Sequence, residues 1–283
     1  MTIDTSFLHQ LDRFNLVVKK RVTSNYRGSR RSIAKGRGIV FKDHRIYAPG
    51  DDIRAVDWKV FARTDKLHVK TFEEELSLTV HIIVDGSKSM DFGKKFTKFD
   101  YASMLGIGFA YLTMKENEKF QFSIFADTLV SFKSRRGMHQ LANTVVYLNK
   151  LKPTGMTNFK DVMDQYRHYA SGKSQVVVMS DFLFNINDIR EGLLRLGKHD
   201  MKVIQVLDRV EKDLKFEGDM RLHDSETKDI LRTYVSPGLR VKYQKDMDEH
   251  TAKIQKICNT LGADFFQVLT DTPIFDTFYY ILK

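Results

Sequence analysis

Cysteine is all but absent from this 283-residue chain, which has one, Cys258. That excludes an internal disulfide and any four-thiolate zinc site, and it fits a reducing compartment. Proline is nearly as scarce, at four residues, so there is no proline-rich linker or recognition tract. No apolar run reaches the roughly 18 to 20 residues of a membrane-spanning helix. The opening MTIDTSFLHQLDRF lacks the basic start and apolar centre of a signal peptide. The expected compartment is therefore the cytoplasm. Nor does any repeat recur at a period of about twenty to fifty residues. Acid is missing from one place in particular: residues 19–37, KKRVTSNYRGSRRSIAKGR, hold eight Lys or Arg and no Asp or Glu.

That acid-free segment carries much of a net charge of +10. Nucleic acid, an acidic membrane surface and an acidic protein would all be drawn to it, as would water alone, and charge does not separate them. With only Tyr26 available for stacking and no recognisable reading motif, nucleic-acid binding has little support.

From about residue 78 the rhythm becomes regular. LTVHIIVD, FQFSIF, QVVVMSD, KVIQVL and ADFFQVL read as strands, with LVSF pairing after FQFSIF. FDYASMLGIGFAYLTMK, MHQLANTVVYLNKL, FKDVMDQYRHYA, INDIREGLLRL and a long stretch from about Leu239 to Leu261 read as helices, with a hairpin across 214–236 and a short closing helix. Strands alternating with crossover helices imply a doubly wound, mostly parallel α/β sheet covered on both faces. The expected division is an N-terminal region over 1–75, comprising an amphipathic helix, the basic segment and a mostly extended, loop-rich part, followed by the α/β domain over 76–283.

In such sheets the loops at the carboxyl ends of strands carry ligands, because helix amino termini and unpaired backbone N–H groups point there. VHIIVDGSKSM places Asp85, Ser87 and Ser89 at one such end; Thr157 in PTGMTNF and Asp181 after QVVVMS fall on the same edge. Hard oxygen donors from three loops suit Mg²⁺ or Mn²⁺. Held mostly by neutral hydroxyls, such an ion keeps much of its charge and favours an external carboxylate. The plainer alternative is that the serines cap the following helix and Asp181 closes a turn.

This order of elements resembles the von Willebrand factor A fold and its metal-ion-dependent adhesion site, whose Asp-x-Ser-x-Ser, Thr and Asp match Asp85, Ser87, Ser89, Thr157 and Asp181. Upstream, RIYAPGDDIRAVDWKVFART resembles the bacterial family catalogued as domain of unknown function 58, its pattern appearing as Tyr47, Pro49, Gly50, Asp51, Arg54, Asp57 and Trp58. Together the two resemblances cover roughly residues 35–185. They imply a non-catalytic, metal-binding adaptor that acts with a MoxR-type AAA+ ATPase or its client. In physical terms, Pro49-Gly50-Asp51 suits a turn, Trp58 a packing anchor, and Arg54 or Arg63 pairing with Asp51 or Asp57.

Enzymatic readings fare worse. A haloacid-dehalogenase phosphatase needs a second carboxylate where Ser87 stands. SGKSQ at 171–175 lacks the earlier glycine of a phosphate loop, having Arg167 there, and LGIGFA lacks the third glycine of a dinucleotide fingerprint. The nine histidines form no His-Glu-x-x-His pair, His81 reads as packed within a strand, and no Gly-x-Ser-x-Gly elbow occurs. Cys258 falls within a helical pattern, as a buried structural thiol. The remaining rivals to the adaptor are a metal-dependent phosphoester hydrolase, which lacks an evident base, and nucleic-acid binding through 19–37.

Overall fold

The computed structural model describes residues 7–11, 40–51, 53–73, 79–93, 96–170, 174–214, 218–223 and 230–283. The basic segment 19–37 and most of the expected N-terminal helix lie outside them. In chain order the elements are α1 (Leu8–Leu11), β1 (Val40–Ile46), a 3₁₀ turn (Ile53–Ala55), α2 (Trp58–Thr64), β2 (His68–Glu73), β3 (Thr79–Asp85), a second 3₁₀ turn (Lys88–Met90), α3 (Lys98–Lys115), β4 (Lys119–Phe125), β5 (Leu129–Ser131) and α4 (Met138–Lys150). They continue with α5 (Phe159–Tyr166), β6 (Gln175–Ser180), α6 (Ile186–Arg195), β7 (Asp200–Leu207), α7 (Arg209–Asp213), β8 (Gly218–His223), β9 (Ile230–Val235), α8 (Pro237–Leu261), β10 (Asp264–Leu269) and α9 (Ile274–Leu282).

The chain divides into two compact units, residues 1–20 with 78–283, and residues 21–77. The larger is a mixed α/β unit around a six-stranded sheet in the order β10-β7-β6-β3-β4-β5. Every neighbouring pair is parallel except β4 with β5. The period of two along β3 shows why both faces are covered. Val80, Ile82 and Val84 enter one apolar cluster with α3, α9 and residues Phe7 and Leu11. Ile83 enters the other, with α5, α6 and Ile254 and Cys258 of α8. Between Ile82 and Val80, His81 turns to the second face, 2% exposed, with its Nδ1 2.7 Å from the Tyr166 hydroxyl. Burial and the neighbouring His199 push its pKa down to about 4, so it is neutral and structural. Cys258 is fully buried, and burial pushes its thiol up to about 12, which leaves no reactive thiolate.

Fifteen of the eighteen residues of α3 are buried, so it lies inside the unit and not on its surface. The two glycines of LGIGFA are explained by this burial. A Cβ on Gly106 would stand 2.8 Å from the Phe122 ring, and one on Gly108 2.2 Å from Cζ of Phe278, itself 0% exposed on α9. Gly108→Ala should therefore destabilise the protein by about 1–3 kcal/mol, the cost of overpacking exceeding the roughly 0.5–1 kcal/mol gained in helix propensity. Denaturant unfolding would read it, and an unchanged or raised midpoint would mean that Phe278 has room to retreat.

The smaller unit is built on the antiparallel pair β1–β2. Its expected extended, loop-rich character holds only in part, since α2 is a helix of seven residues begun by Asp57. The reason is local: the Asp57 carboxylate accepts from the N–H groups of Lys59 (3.0 Å) and Val60 (3.3 Å), satisfying donors that a helix start leaves open.

Candidate functional site

β3 and β6 lie side by side in parallel, so their carboxyl ends share one edge. Asp85 ends β3 and is 0% exposed; Asp181 follows β6 and is 1% exposed. Asp85 Oδ1 accepts from the Ser87 N–H at 2.9 Å, and its Oδ2 accepts from the Ser180 hydroxyl at 2.6 Å. The Ser180 oxygen accepts in turn from the Phe182 N–H at 3.0 Å. Ser87 is fully buried and Ser89 half-buried, their hydroxyl oxygens 3.0 Å apart.

The third loop is fastened to the first by two backbone bonds, Thr154 N–H to Gly86 O at 3.0 Å and Lys88 N–H to Gly155 O at 3.0 Å. Gly86 is also packed against β4, where a Cβ would stand 2.7 Å from Cγ2 of Ile124. Gly155 sits at φ +85, a left-handed conformation open to glycine at little cost. Thr157 is half-buried two residues further on, and the Asn158 N–H donates to Ala126 O at 3.1 Å, closing the loop onto the end of β4.

The helix-capping alternative does not account for the serines. Ser87 precedes the 3₁₀ turn without a side-chain cap bond, and α3 is capped by Thr97 in a reciprocal capping box with Asp100. The turn-closing alternative accounts for half of Asp181, whose Oδ1 accepts from the Leu183 N–H at 3.2 Å. Its Oδ2 accepts from the Lys98 ammonium at 2.7 Å, and the same ammonium lies 3.0 and 2.9 Å from the two oxygens of Glu211.

Sequence patterning singles out neither Lys98 nor Glu211, and Ser180 no more than they. Lys98 is 0% exposed at the first position of α3, where the helix dipole opposes a positive charge. Only converging carboxylates make that tolerable, and they come from a loop 83 residues on and from α7, 113 residues on. A lysine in the first turn of a largely apolar helix is the local signal of this cluster. Burial disfavours the Lys98 charge, yet the charges of Asp181 and Glu211 outweigh that and raise its pKa. Burial likewise raises the Glu211 carboxyl, against the opposing pull of Lys98. Among the described residues Asp85 has no cation beside it: burial and the Asp181 charge push it up to about 7, despite the bonds from Ser180 and Ser87.

Two carboxylates thus hold one ammonium, with Asp85 near enough to feel the Asp181 charge, and the three acids and one lysine, when ionised, are short of two positive charges. One divalent cation makes up that deficit. Oxygen donors are at hand in Asp85, Asp181 and the Ser87–Ser89 pair, each carboxylate oxygen retaining a second lone pair. Among the described residues no group of three or more His, Cys, Asp or Glu is arranged to hold a metal, so an ion here would rest on hydroxyls and at most two carboxylates. That donor chemistry fits Mg²⁺ or Mn²⁺ and not zinc.

In the smaller unit the residues of RIYAPGDDIRAVDW have structural tasks. The Asp51 N–H donates to Ala48 O at 3.0 Å around Gly50 at φ +102, a turn with Pro49 in its second position, and Asp51 Oδ2 accepts from the Ala48 N–H at 3.0 Å. Asp57 Oδ2 lies 3.0 Å from His44 Nε2, a partner that the sequence reading did not include. Val56 and Val69 are buried, whereas Trp58 is 57% exposed with its ring edge-on to Phe61.

The family described as "Protein of unknown function DUF58" matches residues 43–253, and the chain belongs to that family. The match runs well past the span of the upstream signature and the serine motif. Relatives include an uncharacterized protein of Mycobacterium tuberculosis strain H37Rv, Rv1480, and one of Mycobacterium bovis, Mb1516, each 26% identical over 273 residues, or 95% of this chain and 86% of theirs. Among solved structures, the conserved hypothetical protein BatB from Bacteroides thetaiotaomicron aligns with TM-score 0.43 and 11% identity over 72% of this chain and 97% of its own. An aerotolerance-related membrane protein from Bacteroides fragilis aligns with TM-score 0.43 and 12% identity over 72% and 98%. For this chain, no helix among the described residues is long and apolar enough to cross a membrane.

Proposed function

We propose that this protein is a non-catalytic adaptor of the von Willebrand factor A type, which holds Mg²⁺ or Mn²⁺ through Asp85, Ser87, Ser89, Thr157 and Asp181 and uses it to engage an acidic residue of a partner protein. The observation that carries this reading is the buried Asp85 carboxylate, uncompensated enough for its pKa to reach about 7, bonded through the Ser87 N–H to a strand-end loop whose two serine hydroxyls lie 3.0 Å apart. A bound ion would supply concentrated positive charge at the sheet edge. The chain's own groups do the rest: Asp85 and the hydroxyls orient it, and the Gly86–Gly155 fastening brings the Thr157 loop alongside. Two carboxylates at most leave such an ion electron-poor, which favours a third from outside. A MoxR-type AAA+ ATPase or its client is the partner that the family resemblance suggests, and contact at a membrane surface through residues 19–37 would be compatible with it.

The hydrolase reading has less support: among the described residues Asp181 and Glu211 are tied to Lys98, and His81 is turned into the core. Titration calorimetry with Mg²⁺ and Mn²⁺ tests the site. Wild type should bind in the micromolar to millimolar range and Asp85→Ala should show no heat, with its circular dichroism unchanged. Equal uptake by both proteins, or none by either, would sink the metal centre. Metal-dependent turnover of an aryl phosphate that Asp85→Ala removes would favour the hydrolase.

A further inference from the structure

Nothing in the adaptor reading requires Lys98, yet it is a fully buried charge placed against its own helix dipole. Its ammonium occupies Asp181 Oδ2, one of the oxygens proposed to serve the metal. Its other two bonds go to Glu211, whose side chain is 20% exposed beside a fully buried lysine.

We propose that Lys98 is the site's built-in counter-cation and sets its affinity for the divalent ion: the ammonium holds Asp181 and Glu211 together, and an ion that takes Asp181 leaves Lys98 to Glu211 alone. The inference rests on the metal reading and adds its regulation. Physically, an ammonium and a divalent cation beside one carboxylate repel each other, and in a buried site that repulsion is weakly screened. Without Lys98, two adjacent carboxylates would be buried uncompensated, so it also holds the metal-free protein together. Glu211 gives the lysine somewhere to remain once Asp181 is engaged.

The two partners of this contact should therefore respond in opposite directions. Lys98→Met should unfold at a lower temperature without metal, bind Mg²⁺ at least about tenfold more tightly than wild type, and gain more thermal stability from Mg²⁺ than wild type does. Glu211→Gln removes one negative charge and leaves Lys98 on Asp181 alone, so Mg²⁺ affinity should fall several-fold. Calorimetry and thermal unfolding with and without Mg²⁺ read both. If Lys98→Met fails to fold without metal, folding in its presence supports the proposal and failure in both conditions overturns it, as does Glu211→Gln with wild-type or tighter affinity. Equal affinity in wild type and Lys98→Met, whatever the loss of stability, overturns the role of Lys98 and leaves the metal centre standing. No binding by wild type or any variant overturns both, whereas binding by Lys98→Met alone supports Lys98 as the restraint.

Discussion

Capture of the partner should vanish in EDTA and in Asp85→Ala alike, and combining the two should remove nothing more than either does alone. The reason is thermodynamic coupling: an ion and a partner carboxylate attract only when both are present, so removing the ion or its principal ligand deletes the same attraction. A pull-down from native lysate with the full chain as bait would read it, an ATPase of the MoxR type being the expected catch. The expected loss is at least about tenfold in recovered partner, since a desolvated charge pair at an interface is worth about 1.5–7 kcal/mol. Charge reversal within residues 19–37 should act separately, slowing association while leaving the EDTA sensitivity intact, because exposed charge is screened and works mainly on encounter rate. Recovery of the same partner in equal amount with and without EDTA, or of no ATPase at all, would defeat the bridged model.

Asp85→Asn should make the metal-free protein more stable at pH 8, by about 2–4 kcal/mol, and leave it nearly unchanged near pH 4. The sign follows from the raised carboxyl. A folded-state pKa of about 7 against an ordinary 3.8 means that the native protein keeps a proton that the unfolded chain releases. The Asp85 contribution to stability is therefore present at low pH and declines as pH rises from about 4 to 7, every tenfold difference in proton affinity between the two states being worth about 1.4 kcal/mol. Asparagine keeps the acceptor for the Ser87 N–H and cannot ionise. His81 runs the other way: with its folded pKa lowered to about 4, its contribution is present above about pH 6.5 and is lost as pH falls toward 4. The variant should thus show a rising stability–pH curve through that range, where the wild type shows a flatter or falling one. Mg²⁺ should stabilise the wild type increasingly as pH passes 7, and the variant hardly at all. Urea midpoints at pH 4 to 8 would decide it, and a variant less stable than wild type at pH 8 without metal would show that Asp85 is not a buried charge under strain.

The alternation of apolar strands and helices was legible in the sequence because local physics writes it: β3 buries both faces and reads as a largely apolar run, and α3 is apolar on most sides because it lies inside. The lone cysteine could be read for the same reason, as a position where packing leaves little choice. Asp85, Ser87 and Ser89 stood out as polar residues ending such a run. Tertiary structure alone decided what stands beside them. Lys98 looks like any helix-start lysine until the strand order places β7, and with it α7, next to β6, carrying Glu211 to the ammonium that Asp181 already holds. Ser180 reads as one more strand residue until β3 and β6 pair and turn its hydroxyl onto Asp85. Asp57 shows its task as a helix cap only once a helix begins at Trp58. Burial sets how much each of these charges costs, and burial is a sum over neighbours far apart in the chain, which no local pattern of residues contains.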